Sequence, residues 1–226
     1  MYIMNKYSRT DPLSQSVFPI DRAGIPFIGI AAFATAVFAL LGIAVLALPG
    51  LLATLFICYF FRDPDRVTPV LDGGVVSPAD GKVIRVERLE STHFAEGPCR
   101  KVSIFMSIFN VHVNRIPFDG HIAKIEYYPG KFFSANLDKA SRLNEHNAVY
   151  LETGNGQTLC FVQIAGLVAR RIICRIQEGD DAVRGQRFGL ICFGSRLDVY
   201  LPVDTKITVA VGDVVSAGTS LIGKLT

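Results

Sequence analysis

The residues most able to do chemistry on this chain sit at a Gly-Ser step near its C-terminus. Cys192-Phe193-Gly194-Ser195-Arg196 lies between two strand-like runs, FGLICF and RLDVYLP. A glycine admits backbone conformations closed to other residues, so the following serine can approach the carbonyl before it. Attack of Ser195 Oγ on the Gly194 carbonyl would give an ester. Elimination would leave dehydroalanine, and hydrolysis with loss of ammonia would leave an N-terminal pyruvoyl group. The step is not the G-x-S-x-G nucleophile elbow, because position 197, where the second glycine would stand, is Leu. Two further stretches supply a carboxylate and an imidazole. Val76-Ser77-Pro78-Ala79-Asp80-Gly81-Lys82-Val83 sets Asp80 at a tight turn between strands. Asn110-Val111-His112-Val113-Asn114-Arg115-Ile116-Pro117 sets a histidine on a strand, where a period of two would give Asn110, His112 and Asn114 a common face. Taken singly, each feature also has a plain structural reading: a Gly-Ser turn, an Asp-Gly turn residue, a satisfied histidine.

The elements that must position these residues are mostly strands. After Arg62-Asp63-Pro64-Asp65-Arg66, a polar stop that reads as a linker, the chain becomes short alternating or β-branched runs broken by Gly, Pro and Asp. Strands are expected at 75–76, 82–87, 101–109, 111–116, 121–128, 148–152, 158–164, 171–176, 187–192, 197–201, 207–211 and 220–225. Only 134–144 (SANLDKASRLN) leans towards helix, and no long repeat is visible.

The region before the linker is different. Residues 25–61 are almost wholly apolar and uncharged, with Lys6, Arg9 and Arg22 before them and Arg62 and Arg66 after. That pattern predicts a membrane anchor, and its length and late start fit poorly with a cleaved signal peptide. Two paths are open: one tilted span over Ile25 to Leu48, or a hairpin turned at Pro49-Gly50. The flanking cations favour the hairpin with both ends cytoplasmic. The bulk numbers agree, since 50% apolar residues and a mean hydropathy of +0.36 are high for a water-soluble domain. A net charge of +3 without Lys/Arg blocks gives no sign of a nucleic-acid partner and suits an anionic surface or substrate. Five scattered cysteines with no C-x-x-C pair read as buried reduced thiols, and no metal site is expected.

The motifs SPADGKV, FNVHVNRIPFDG, YYPGKFFSANLDKAS followed by NEHN, and FGSRLDVYLP resemble, in order and spacing, the short form of the phosphatidylserine decarboxylase family. The tail GDVVSAGTSLIGKL is similar to the family's ending, and the likeness runs from about Phe61 to the C-terminus. The resemblance implies a proenzyme that cuts itself between Gly194 and Ser195, giving a β chain 1–194 and an α chain 195–226 whose first residue becomes the covalent pyruvoyl group. It implies decarboxylation of phosphatidylserine to phosphatidylethanolamine through a Schiff base with that group. The implied architecture is a cytoplasmic segment 1–24, an anchor 25–61 that is a helix or helical hairpin, and one β-rich catalytic domain 62–226 with barrel-sandwich-like portions. The implied setting is the inner membrane with the catalytic domain on the cytoplasmic side, the partners being a phospholipid, the membrane and the α and β chains themselves, with a homo-oligomer left open.

Within this resemblance Ser195, His112 and Asp80 form the expected catalytic set, Asp80 orienting His112 and His112 taking the Ser195 proton. Long-form members resemble Y-H-R-x-H-x-P where this chain has V-H-V-N-R-I-P, so His112 matches the first histidine and Arg115 stands at the second. His146 lies in NEHN where members often carry NERN. Rival readings are a decarboxylase of another serine-headgroup lipid, such as archaetidylserine, a hydrolase using Ser195 intact, and a carrier module presenting Lys139 of the D-K-A triplet.

Overall fold

The computed structural model describes residues 19–131, 144–166, 171–192 and 194–226. The candidate helix 134–144, apart from Asn144, falls outside them, as does Lys139. The described residues up to Asp65 form one compact unit and those from Arg66 onward another.

In the first unit a 3-10 turn leads into α1 (Ile25–Leu40), which is followed by α2 (Ala44–Phe60). The apolar run is therefore a helical hairpin, but its turn is not at Pro49-Gly50 and no single helix covers Ile25 to Leu48. The reversal occurs at Leu41–Ile43, where Gly42 takes φ +72°. That left-handed conformation is the one a glycine stops a helix with. Pro49 stays inside α2, where it removes one i to i−4 bond. Gly50 serves close approach instead: a Cβ there would stand 2.7 Å from Thr35 Oγ1. Thr35 and Thr54 meet across the pair at 3.3 Å. Among the described residues one helix, Arg22–Leu40 with its 3-10 start, is long and apolar enough to cross a membrane, and α2 is shorter.

The second unit is built from strands β1 (Gly74–Val76), β2 (Gly81–Leu89), β3 (Cys99–Met106), β4 (Val113–Arg115), β5 (Gly120–Tyr128), β6 (His146–Glu152) and β7 (Thr158–Ile164). It continues through β8 (Ile172–Cys174), β9 (Asp181–Ala182), β10 (Arg187–Ile191), β11 (Ser195–Pro202), β12 (Lys206–Ile207), β13 (Val214–Val215) and β14 (Leu221–Lys224). Eight strands form one antiparallel sheet in the order β13-β2-β3-β11-β7-β6-β5-β9, and two small sheets run β1-β14-β12 and β4-β10-β8. The main core lies on one face of the large sheet, with Ile104, Phe161, Leu197, Val199 and Ile222 fully buried. A smaller cluster on the other face gathers Phe94, Cys99, Cys160 and Tyr200.

Two expected strands shrink for local reasons. The run 101–109 ends at Met106, because Ser107–Asn110 closes as a turn with Asn110 N–H on the Ser107 carbonyl at 3.0 Å. The run 207–211 keeps only Ile207 as a strand residue, since Asp213 Oδ2 draws the Ala210 N–H into a second turn at 2.9 Å. The cysteines are free thiols, and Cys99, Cys160 and Cys192 are buried. Burial pushes the Cys99 and Cys160 thiols up from their ordinary value. Gly81 joins β2 to β3 at their tightest point, where a Cβ would stand 2.2 Å from the Phe105 carbonyl oxygen. Gly81→Ala is therefore expected to destabilise the uncut chain by about 1–3 kcal/mol, read as a lowered midpoint in thermal unfolding.

Candidate active site

β11 starts at Ser195 and is paired on both sides. Against β3 the register runs from Ser195↔Met106 to Pro202↔Cys99, and against β7 from Arg196↔Ile164 to Tyr200↔Cys160. Alternation then sends Ser195 to the same side as Leu197, Val199 and Leu201, which belong to the main core. Ser195 is fully buried, and its Oγ has no hydrogen-bond partner among the described residues. Gly194, before it, has φ +64°. Nothing would meet a Cβ at Gly194, so the need for glycine there is one of backbone conformation and not of space.

His112 reaches the same region by two routes. Met106, opposite Ser195, ends β3, and the Ser107–Asn110 turn carries the chain on towards β4. On the other side the His112 carbonyl accepts from Ile191 N–H at 3.4 Å, at the end of the strand that leads to Gly194. The imidazole is fully buried and its Nδ1 lies 2.9 Å from the Asn110 carbonyl oxygen. A carbonyl can only accept, so this geometry assigns a proton to Nδ1, and in the neutral imidazole the lone pair is then on Nε2. Asn110 is thus not on a strand face with His112. Its Oδ1 accepts from both Ser107 N–H and Ser107 Oγ, each at 2.8 Å, which fixes the turn and the carbonyl that orients the ring.

Asp80 is placed at the start of β2, and both its oxygens are engaged: Oδ2 by Arg66 Nη2 at 3.0 Å and Oδ1 by Ala217 N–H at 2.7 Å. The orienting partner of His112 Nδ1 is a backbone carbonyl, and Asp80 ties the turn before β2 to the turn before β14. The turn before β2 also receives β4, since Arg115 N–H donates to the Pro78 carbonyl at 2.9 Å. Arg115 is buried, donates to the Gly185 carbonyl at 2.9 Å, and packs so closely under Gly218 that a Cβ there would stand 2.8 Å from its Cδ.

Two buried groupings were not legible as such in the sequence. Gln163 Nε2 donates to Asn114 Oδ1 at 2.9 Å and Asn147 Nδ2 to Gln163 Oε1 at 3.3 Å, while Asn114 Nδ2 points at Met106 Sδ at 3.6 Å. This amide chain holds β4, β7 and β6 together beside the residue opposite Ser195. On the other face of β11, Asp198 meets Arg196 Nε at 2.9 Å and Lys101 Nζ at 3.6 Å, with the Arg196 and Asp198 side chains fully buried. Burial, then the Asp198 charge, pushes the Tyr200 hydroxyl far up, so it stays neutral. The only sequence signal for either grouping is a polar residue inside an apolar strand, as in LCFVQIA and RLDVYLP.

The remaining histidines are set apart. His146 stands in one cross-strand row with Ile164 and Arg196, hence on the face away from Ser195, stacked on Tyr128 at 4.7 Å. His121 is exposed beside Asp181 at the far end of β5, and His93 lies against Phe94. Removing the anion from the buried trio takes an opposite charge away from both cations. Asp198→Asn is accordingly expected to cost about 3–5 kcal/mol in urea unfolding of the uncut chain, with a matching loss of soluble yield.

A family model described as "Phosphatidylserine decarboxylase" matches residues 53–223. Among curated proteins the chain is 48% identical over 211 residues to "Phosphatidylserine decarboxylase proenzyme" of Desulfotalea psychrophila, covering 93% of this chain and 99% of that one. It is 53% identical over 206 residues to the protein of the same name from Syntrophus aciditrophicus, covering 90% and 96%. A third, from Geotalea uraniireducens, is 49% identical over 207 residues, covering 92% and 97%. With a family model over most of its length and relatives matched nearly end to end, the chain belongs to the phosphatidylserine decarboxylase family and is a decarboxylase.

Proposed function

We propose that the chain cuts itself between Gly194 and Ser195, converts Ser195 into a pyruvoyl group, and uses it to turn phosphatidylserine into phosphatidylethanolamine and carbon dioxide. The observation that carries this reading is Ser195 itself: a buried hydroxyl without a hydrogen-bond partner among the described residues, heading a doubly paired strand, after a glycine at φ +64°. A hydroxyl buried at such cost calls for a use. The relatives' printed name, proenzyme, supports processing into two chains.

In the proposed cut, His112 Nε2 takes the Ser195 proton as Oγ adds to the Gly194 carbonyl carbon. The C–N bond breaks and the acyl group moves to oxygen. Loss of the Cα proton expels the Gly194 carboxylate, and water then replaces the nitrogen as ammonia. The residues fit this use: the imidazole is locked by Asn110 with its basic nitrogen free of the proton, and the strand carrying residue 195 is held on both edges. Asp80 acts here as a positioning residue, keeping the turns around Pro78 and Ala217 together, and not as the direct partner of His112. Once formed, the pyruvoyl carbonyl supplies an electron sink for the pair released as the substrate carboxylate leaves. The chain's own part is then to exclude water, which penalises a carboxylate more than neutral carbon dioxide, and to hold a proton at His112 for the carbon that loses it. The apolar helices would keep the catalytic unit at the inner membrane, with Arg62 and Arg66 favouring its cytoplasmic side.

Mass spectrometry of the purified full chain tests the reading. Two chains are expected, the smaller beginning at residue 195 and lighter by one ammonia than a serine-started peptide; a single uncut chain in active preparations would overturn it. Ser195→Ala should stay one inactive chain. His112→Ala should cut slowly or not at all, and normal maturation would confine that residue to decarboxylation. Asp80→Asn, which keeps an oxygen for Ala217 N–H, should cut faster than Asp80→Ala; equal abolition by both would restore Asp80 to a direct relay.

A further inference from the structure

The Ser107–Asn110 turn presents two apolar side chains to the outside, Ile108 at 38% and Phe109 at 62% exposure, between the buried Met106 and Val111. Scattered exposed apolar residues are ordinary. These two are consecutive and sit on a turn braced by three hydrogen bonds, from Ser107 N–H and Ser107 Oγ to Asn110 Oδ1 and from Asn110 N–H to the Ser107 carbonyl. The brace fixes the backbone that carries them.

The turn's base is part of the candidate active site. Met106 is the cross-strand partner of Ser195, and the Asn110 carbonyl orients His112. The same end of the sheet holds Asp80 and, bound to it, Arg66, the residue with which the catalytic unit begins. Beside Arg66, Val67 is 89% exposed, and Val70 is 99% exposed. Exposed apolar side chains thus stand on the turn that borders the reacting residues and next to Arg66, which binds Asp80.

We propose that the Ser107–Asn110 turn is an interfacial lipid contact, Ile108 and Phe109 entering the acyl-chain boundary of the bilayer next to the site that processes a lipid headgroup. This rests on the function proposed above. A protein partner is the poorer fit: two side chains on a tight turn offer far less than the roughly 1,000 Å² that a stable protein interface needs. A bilayer needs only a small apolar wedge with polar residues behind it. Such a contact would shorten the path of a headgroup from the bilayer surface to the buried Ser195 and His112.

The chain contains no tryptophan, so Phe109→Trp introduces a single fluorophore into the full-length protein. Asn155→Trp, on the exposed hairpin at the opposite end of β6 and β7, is the reference. In vesicles of phosphatidylcholine and phosphatidylserine, Trp fluorescence of F109W should be blue-shifted relative to N155W and quenched more strongly by acyl-brominated phosphatidylcholine. Equal quenching of the two, or a shift that follows protein concentration and not lipid, would overturn the proposal. The pair I108S/F109S should raise KM for vesicle phosphatidylserine about tenfold, with two-chain maturation and turnover of a monomeric short-chain phosphatidylserine as in the parent. An unchanged vesicle KM would also overturn it. The fluorescence readout needs no activity, so failure of the decarboxylation reading and failure of the lipid contact are told apart.

Discussion

Under the proposed cut at Gly194-Ser195, a strand that begins at the bond to be broken must be held by something other than that bond. In this protein the requirement is met by β11, an interior strand of the eight-stranded sheet with β3 on one edge and β7 on the other. Both its faces are buried, with Leu197 and Val199 in the main core and Arg196, Asp198 and Tyr200 on the opposite side. Ser195 inherits its position from that pairing. The left-handed backbone at Gly194 is placed one residue outside it, where the chain enters the ladder and a glycine takes that conformation without steric cost.

The other members of the site are arranged by backbone as much as by side chain. The imidazole of His112 is oriented by a carbonyl two residues earlier, and that carbonyl is fixed by the turn that the Asn110 side chain closes on Ser107. Asp80 does comparable work at the level of turns, joining residues far apart in the chain through one carboxylate. Arg115 is buried under Gly218 and bonded to the Gly185 carbonyl. Its long side chain fills the space between two turns, a use that an imidazole could not copy.

Much of this was legible in the chain's spelling. Thr158–Ile164 reads as a strand from its alternation and is one, and the apolar run 25–61 reads as helical and is. Gly194-Ser195, His112 and Asp80 stand out through their company in separated motifs. The misreadings share a cause, which is that turns are decided by hydrogen bonds whose partners a periodic pattern does not show. Alternation put Asn110 on one face with His112 and Asn114, but its side chain closes a turn on Ser107. Pro49-Gly50 looked like the reversal, but Gly42 takes the positive φ and Gly50 gives way to Thr35. The Asp198 trio and the Gln163 amide chain depend on cross-strand register, and register is set by pairings between strands dozens of residues apart.

The strands downstream of Gly194 have few partners of their own. β11 lies between β3 and β7, β13 pairs with β2, and β12 and β14 make a sheet with β1. A chain divided at this point becomes two polypeptides interwoven through two sheets, neither of which holds a complete core. Folding is then an event of the precursor alone. If the divided form unfolds, recovery requires two separate molecules to meet and re-thread the middle of a sheet, a bimolecular process at cellular dilution. The working life of such a divided form would therefore be set by how rarely β11 lets go, a rate and not an equilibrium.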